Sequence, residues 1–232
     1  MYDFTYHCAT SIEDAQSVFK GCEDPVYLAG GMTMLPTMKQ RLARPSDVVD
    51  LGKIGGLSGI ARVGEGIVIK ALATHAEVAG SSEVAAAIPA LAALAGSIGD
   101  PHVRNRGTIG GSIANNDPAA DYPAALVGLG STVVTTSKEI EADRFFTGMF
   151  ETALEPGELV TEVRFPVPKV AHYMKFPNPA SRYALVGVML ITSIILYSLG
   201  KGLFGRQNFA MMAKASHAGR TRAARSSCDR IV

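Results

Sequence analysis

The stretch that most limits what this chain can fold into runs from Arg104 to Asp121, RNRGTIGGSIANNDPAAD. It holds a glycine pair, Gly110-Gly111, between the hydroxyls of Thr108 and Ser112. Asn115, Asn116, Asp117 and Asp121 follow, with almost no bulky side chain between them. So little apolar area gives burial almost nothing to act on, and the expectation is that a bound ligand orders this stretch. Consecutive glycines let backbone N–H groups turn toward one point and let a ligand approach closely, which suits a phosphate. A second piece of the same kind lies eighty residues earlier, where the apolar run Val26-Tyr27-Leu28-Ala29 leads into Gly30-Gly31 and Thr33. Met34 to Leu42 then reads as helix. Strand, glycine turn and helix N-terminus make an anion site, because free N–H groups and the helix dipole point at the ligand. Two such loops suit a diphosphate, without distinguishing one diphosphate ligand from another.

At 232 residues the chain is long enough for one large domain or two small ones. Its 47% hydrophobic content and net charge of +1 describe a globular protein with no nucleic-acid bias. The average conceals a break. Lys201 to Val232 holds seven basic residues and one acidic one, whereas residues 1–200 hold 15 and 20, so a net +6 tail follows a net −5 body. Cys8, Cys22 and Cys228 are too few and too far apart for an iron–sulfur or zinc motif, and no metal centre is assigned to the chain itself. His7, His75, His102, His172 and His217 show no ligand spacing either. An odd number of cysteines, behind a start that lacks a basic and then apolar leader, predicts the cytoplasm.

Along the chain, Tyr2 to His7 alternates weakly and predicts an edge strand. Ser11 with Asp14 resembles a capping box opening a helix that Gly21 ends. A further strand at Val48–Leu51 completes a small α/β unit ending near residue 55. Beyond it the pattern predicts a strand after Gly66, a helix over 74–84 and a second over 89–98. An apolar element at 123–129 follows, then strands at Thr132–Thr136, Glu158–Phe165 and His172–Phe176. That second part reads as α+β with an antiparallel sheet. Arg104 and Arg106 suit a phosphate, but a role in fixing their loop to Asp100 or Asp117 is preferred. No Ser-His-Asp or paired-carboxylate arrangement is discernible, so no catalytic side chain is assigned.

Four segments in order, LAGGMTMLPTMKQRLARPSDVVDL, IGDPHVRNRGTIGGSIANNDPAADYPAAL, FETALEPGELVTEVRFP and KFPNPASRYALVGV, carry a resemblance. Together they resemble the FAD-binding medium subunit of the molybdenum hydroxylases, the carbon monoxide dehydrogenase and xanthine dehydrogenase family, from Met1 to about Val188. The resemblance implies an α+β FAD-binding fold of two subdomains, residues 1–55 and 56–176, with FAD between them. It implies an electron-transfer oxidoreductase subunit that is inactive on substrate by itself. Its partners would be an iron–sulfur small subunit with [2Fe-2S] clusters and a molybdopterin large subunit, assembled as a dimer of heterotrimers. Electrons would pass from those clusters through FAD to an external acceptor. The family's first FAD loop falls on Ala29, Gly30, Gly31, Met32 and Thr33, and its second on Thr108, Ile109, Gly110, Gly111 and Ser112. Its acidic contact to the cofactor falls on Asp121, and further contacts fall on Val160 and Lys175. Family members often have a polar residue where Met32 stands.

After Gly187-Val188 the family's third domain is expected, and the segment over 177–232 does not match it. An absent or replaced domain is the expectation there. Tyr183 to Gly200 carries no charged residue, and a basic tail follows. This leaves a second reading, a truncated remnant without flavin, associated with a membrane through residues 183–200. A buried apolar segment is preferred to a membrane span. Gly200 to Gly205 satisfies GxGxxG, but only 27 residues remain after it, too few for the βαβ unit a dinucleotide site needs.

Overall fold

The computed structural model describes residues 1–177 and 184–191. They belong to one compact unit, Met1–Thr192, while the second unit, Ser193–Val232, lies outside the described residues, as does the GxGxxG at its start.

Three short strands build the first sheet, in the order Thr5–Cys8, Asp47–Asp50, Pro25–Leu28, all parallel. The central strand is the one that must be apolar on both faces, and its Val48 and Val49 are 1% and 0% exposed. The helix Ile12–Gly21 crosses over this sheet. Ser11 caps it by accepting a hydrogen bond from Asp14 N at 3.1 Å, while the Asp14 carboxylate accepts from Thr10 N at 2.9 Å rather than from Ser11, so half of the expected capping box forms. Ala15, wholly buried, and Ile12 and Val18 pack against the sheet. The helix after the first glycine loop is shorter than the periodicity predicts, Met34–Lys39, because Arg41 takes a left-handed backbone at φ 61°.

The second sheet is antiparallel, in the order Ile60–Val63, Gly66–Lys70, Val160–Pro166, Thr132–Thr135, Glu139–Glu141. Val163 and Phe165 alternate into the core at 0% and 1% exposure, as the period-two pattern of ELVTEVRF requires. The helices Pro89–Gly96 and Tyr122–Leu129 lie within that core, their Leu91, Leu94 and Leu126 fully buried. The helix predicted over 74–84 is two helices, His75–Gly80 and Ser82–Ala87. Ser81 is extended there, and its hydroxyl accepts from Val84 N at 3.2 Å to cap the second. The edge strands Ile60–Val63 and Glu139–Glu141 are additions to the sequence reading. Both are short and mostly exposed, so neither has an apolar pattern to betray it.

The Arg104–Asp121 stretch is ordered from within, which corrects the expectation that a ligand must order it. Residues 107–110 zip against 71–75 by three backbone bonds: His75 N to Gly107 O at 2.9 Å, Ile109 N to Ala73 O at 3.1 Å and Gly110 N to Ala71 O at 2.9 Å. The helix Ile109–Asn115 then inserts Ile109 and Ile113, both 0% exposed, into the main core. Two isoleucines one turn apart suffice, since small residues around them let the helix sit close to its neighbours. Asn116 ends this helix in the left-handed region, and its Nδ2 donates to Gly148 O and Glu151 O at 2.7 and 2.8 Å, holding the hairpin of Phe146–Gly148 and Glu151–Thr152.

Ala171–Pro177 pairs antiparallel with Ala184–Ile191. The first half of the uncharged 183–200 run is therefore strand, and its remainder lies outside the described residues. Among the described residues no helix is long and apolar enough to cross a membrane.

Candidate functional site

The two glycine loops meet. Gly30 passes so near the second loop that a Cβ on it would sit 1.9 Å from Arg106 O and 2.9 Å from Gly107 Cα, an approach only glycine permits. Gly31 follows at φ 73°, which turns the chain into the short helix. Among the described residues, the amide groups of Gly30, Gly31, Met32, Thr33 and Met34 have no acceptor. The first loop is thus a run of unpaired donors.

The second loop is not. Its Ile109 and Gly110 amides are engaged by Ala73 and Ala71, Gly111 N donates to the Thr108 hydroxyl at 3.1 Å, and Ser112 N donates to Thr108 O at 3.0 Å. The expected free amides at this helix start are absent, because Thr108 acts as an N-cap and the neighbouring strand end takes the others. A Cβ on Gly110 would lie 2.7 Å from both Ala71 Cβ and Ala71 O, so its small size serves the packing of helix on strand.

Between the loops opens a groove of about 560 Å³, within the usual range of small-molecule sites. Of the residues singled out from the sequence, Ala29, Gly30, Gly31, Met32, Thr33, Thr108, Gly110, Gly111 and Val160 line it. Ile109 does not, its side chain being wholly buried in the core, and Ser112 is not part of the lining. Asp121 and Lys175 lie together outside it. Lys175 Nζ is 3.0 Å from Asp121 Oδ2 and also donates to Ser97 O at 3.1 Å, while the Tyr173 hydroxyl donates to Asp121 Oδ1. Asp121 is only 5% exposed, and burial together with that carboxylate pushes the Tyr173 phenol up from its ordinary pKa.

A wall of the groove escaped the sequence reading. Residues 154–159 line it together with Phe19 and Tyr27. Phe19 stacks on Tyr27 at 4.5 Å between ring centroids, and the Tyr27 hydroxyl donates to Gly157 O at 3.1 Å. Burial raises the Tyr27 phenol to about 12, so the hydroxyl stays a donor. Glu158 holds the turn in shape. Burial alone would raise its pKa, but hydrogen bonds from the Ser137 and Thr135 hydroxyls and from Glu155 N, at 2.9 Å, outweigh it and keep the carboxyl below its ordinary value. The segment FETALEPGELVTEVRFP, which carries part of the resemblance, contains this wall, but its turn-forming Glu155-Pro156-Gly157 lacks any ligand chemistry of its own and was not singled out.

His75 lies beneath the second loop at 5% exposure, its ring 5.4 Å from that of Tyr122. Burial, helped by the Arg104 charge, lowers its pKa to about 4, so it is neutral at pH 7. Arg104 is structural, as preferred, but its Nη1 donates to Ile98 O and Gly99 O, both at 3.0 Å, rather than to Asp100 or Asp117. Arg106 and His102 are exposed.

These features match known proteins. Residues 2–168 fit the family model for the FAD binding domain in molybdopterin dehydrogenase. The chain is 38% identical over 193 residues to the nicotine 6-hydroxylase medium subunit of Paenarthrobacter nicotinovorans, covering 81% of this chain and 68% of that protein. It is 39% identical over 199 residues to the carbon monoxide dehydrogenase medium chain of Afipia carboxidovorans, covering 82% and 69%. Its structure superposes on reconstituted CO dehydrogenase from Oligotropha carboxidovorans with a TM-score of 0.77 at 38% identity, over 83% of this chain and 71% of the other. The residues present fit FAD: residues with unpaired amides line one side of the groove, the remaining lining is mostly apolar with a few polar groups such as Thr108 and Asn115, and the backbone approach at Gly30 leaves no room for a side chain. The chain belongs to the family of FAD-binding domains of molybdopterin dehydrogenases.

Proposed function

We propose that this chain is the flavin-carrying medium subunit of a molybdenum hydroxylase-type complex in the cytoplasm. Its task is to receive electrons from the [2Fe-2S] clusters of a small subunit, reduced in turn by a molybdopterin-bearing large subunit, and to pass them to an external acceptor. The observation that carries the reading is the row of unpaired amides from Gly30 to Met34, all on residues that line the groove. Such donors, fixed by backbone geometry, favour the charged diphosphate of FAD without a basic side chain. FAD supplies the electron-transfer chemistry, and the protein contributes binding, orientation and electrostatics. Residues 1–55 and 56–176 act as the two halves that close on the cofactor. Ala29 to Thr33 hold it from one side, and Thr108, Gly110, Gly111 and Val160 shape the other. Asp121, buried and tethered by Lys175 and Tyr173, acts by holding the hairpin strand Ala171–Pro177 against the helix that follows it.

The test has two stages. The purified chain is mixed with FAD and passed through gel filtration, and a flavin absorption band that travels with folded protein is expected. A folded sample that sheds all flavin would overturn the site. The chain is then captured from its own cells with whatever it assembles with, and flavin, iron and molybdenum are measured together. Stoichiometric iron and molybdenum support the complex; flavin alone would overturn it while leaving the FAD site intact.

A further inference from the structure

On the face of the first sheet that the helix Ile12–Gly21 covers, three side chains widely separated in sequence converge. His7 Nε2 and Asp47 Oδ1 are 2.7 Å apart, and the Cys22 thiol completes a group whose three donor atoms all lie within 4.8 Å of one another. Each comes from a different element. His7 lies on the edge strand Thr5–Cys8, Asp47 opens the central strand, and Cys22 closes the helix Ile12–Gly21. No linear spacing announces such a set, because parallel pairing of Thr5 with Asp47 and the helix crossover create it.

The chemistry of the donors is specific. One imidazole nitrogen, one thiolate and one carboxylate oxygen are borderline-soft ligands of the kind Zn²⁺ takes, with a fourth tetrahedral position open to water. Thiolate and carboxylate together neutralise the dication. Zinc–ligand bonds of about 2.0–2.3 Å set donor atoms roughly 3.5 Å apart, so His7 and Asp47 must open by under about 1 Å and the widest pair must close by little more than that. Half-buried side chains make such adjustments by small torsional changes. The surroundings already orient Asp47: Asp24 N donates to the Ser46 hydroxyl at 2.9 Å, and that hydroxyl donates to Asp47 Oδ2 at 2.6 Å, leaving Oδ1 turned to His7 and Cys22. Supporting hydrogen bonds of this kind fix metal-binding carboxylates. Side-chain exposures of 31% for His7 and 15% for Asp47 leave a path for a hydrated ion.

We propose that His7, Cys22 and Asp47 form a zinc site that ties the two paired strands of the first sheet to the end of its helix. Binding replaces the His7–Asp47 hydrogen bond with two metal bonds; the imidazole takes the tautomer with its proton on Nδ1, freeing Nε2 for the metal, and the Cys22 thiol proton leaves to solvent. None of the three residues lines the groove, so the proposal stands apart from the flavin reading.

The test uses the full 232-residue chain and Co²⁺ as a visible probe, followed by Zn²⁺. One equivalent of Co²⁺ is expected to produce the intense bands of a four-coordinate site together with a thiolate charge-transfer band, and Zn²⁺ is expected to bleach both. Cys22→Ser should lose the thiolate band, while Cys8→Ser and Cys228→Ser keep it. His7→Gln should weaken Co²⁺ binding by more than about tenfold. Saturating Zn²⁺ should raise the melting midpoint of the unaltered chain and leave that of Cys22→Ser unmoved. No thiolate band, a band that survives Cys22→Ser, or equal affinity in His7→Gln would overturn the site.

Discussion

The loops Ala29–Thr33 and Thr108–Ser112 share a signature, a glycine pair near a threonine before a helix, yet they use their glycines in opposite ways. In the first, the backbone turns at Gly31 and leaves five successive amides without an acceptor. In the second, every amide from Ile109 to Ser112 is already engaged, by Ala73, Ala71 and Thr108. The difference lies in what flanks each loop. The first follows the edge strand Pro25–Leu28 and runs free, whereas the second is drawn alongside residues 71–75 and anchored by Ile109 and Ile113. One loop leaves its backbone donors unpaired, and the other spends them on holding its own structure.

The sharpest way to break this comparison is at their point of contact. Gly30→Ala would place a methyl 1.9 Å from Arg106 O, an overlap with backbone that no side-chain motion relieves. Overpacking of this kind costs about 3 kcal/mol. If that cost falls on the bound arrangement of the loops, flavin affinity drops by about a hundredfold. Equilibrium titration with FAD and a parallel denaturation curve would measure both; unchanged values would mean the loops do not touch as described. Gly110→Ala is the counterpart. Its methyl meets Ala71 at 2.7 Å, so a loss of about 2 kcal/mol in folding stability is expected. Because no free amide is removed, the folded fraction should bind FAD within about threefold of the unaltered chain. A stable Gly110→Ala protein with affinity as poor as Gly30→Ala would erase the distinction between the loops.

A third, smaller effect is confined to the supporting side and is read by pH. His75 has its folded pKa lowered from 6.5 to about 4, so below pH 6.5 the unfolded chain binds the proton that the folded chain refuses. Stability contributed by neutral His75 is therefore complete above about pH 6.5 and falls away as pH drops toward 4, by up to roughly 3 kcal/mol. Chemical denaturation at pH 7 and pH 4.5 should show the decline, and His75→Asn should flatten this part of it. An equally steep decline in His75→Asn would assign it to other groups.

Much of this was legible in the chain. The period-two run of ELVTEVRF became the central strand of the second sheet, and the apolar runs at 89–98 and 123–129 became core helices, since patterning and burial are two views of one quantity. Glycines of both loops line the groove. What stayed hidden depends on partners distant in sequence. The Phe19, Tyr27 and 154–159 wall exists only because Tyr27 and Gln16 reach Gly157 across more than a hundred residues. The pairing of Asp121 with Lys175 has the same character.

By itself, then, the sequence determined most of the elements, the two sheets' opposite pairing habits, the family and the two glycine loops that border the site, because these follow from local periodicity, turn chemistry and motif order. The tertiary structure alone decided which amides remain free. A backbone donor is available to a ligand only if no neighbouring carbonyl or hydroxyl has taken it, and at Gly110 that neighbour, Ala71, lies far away in the chain and 2.9 Å away in space.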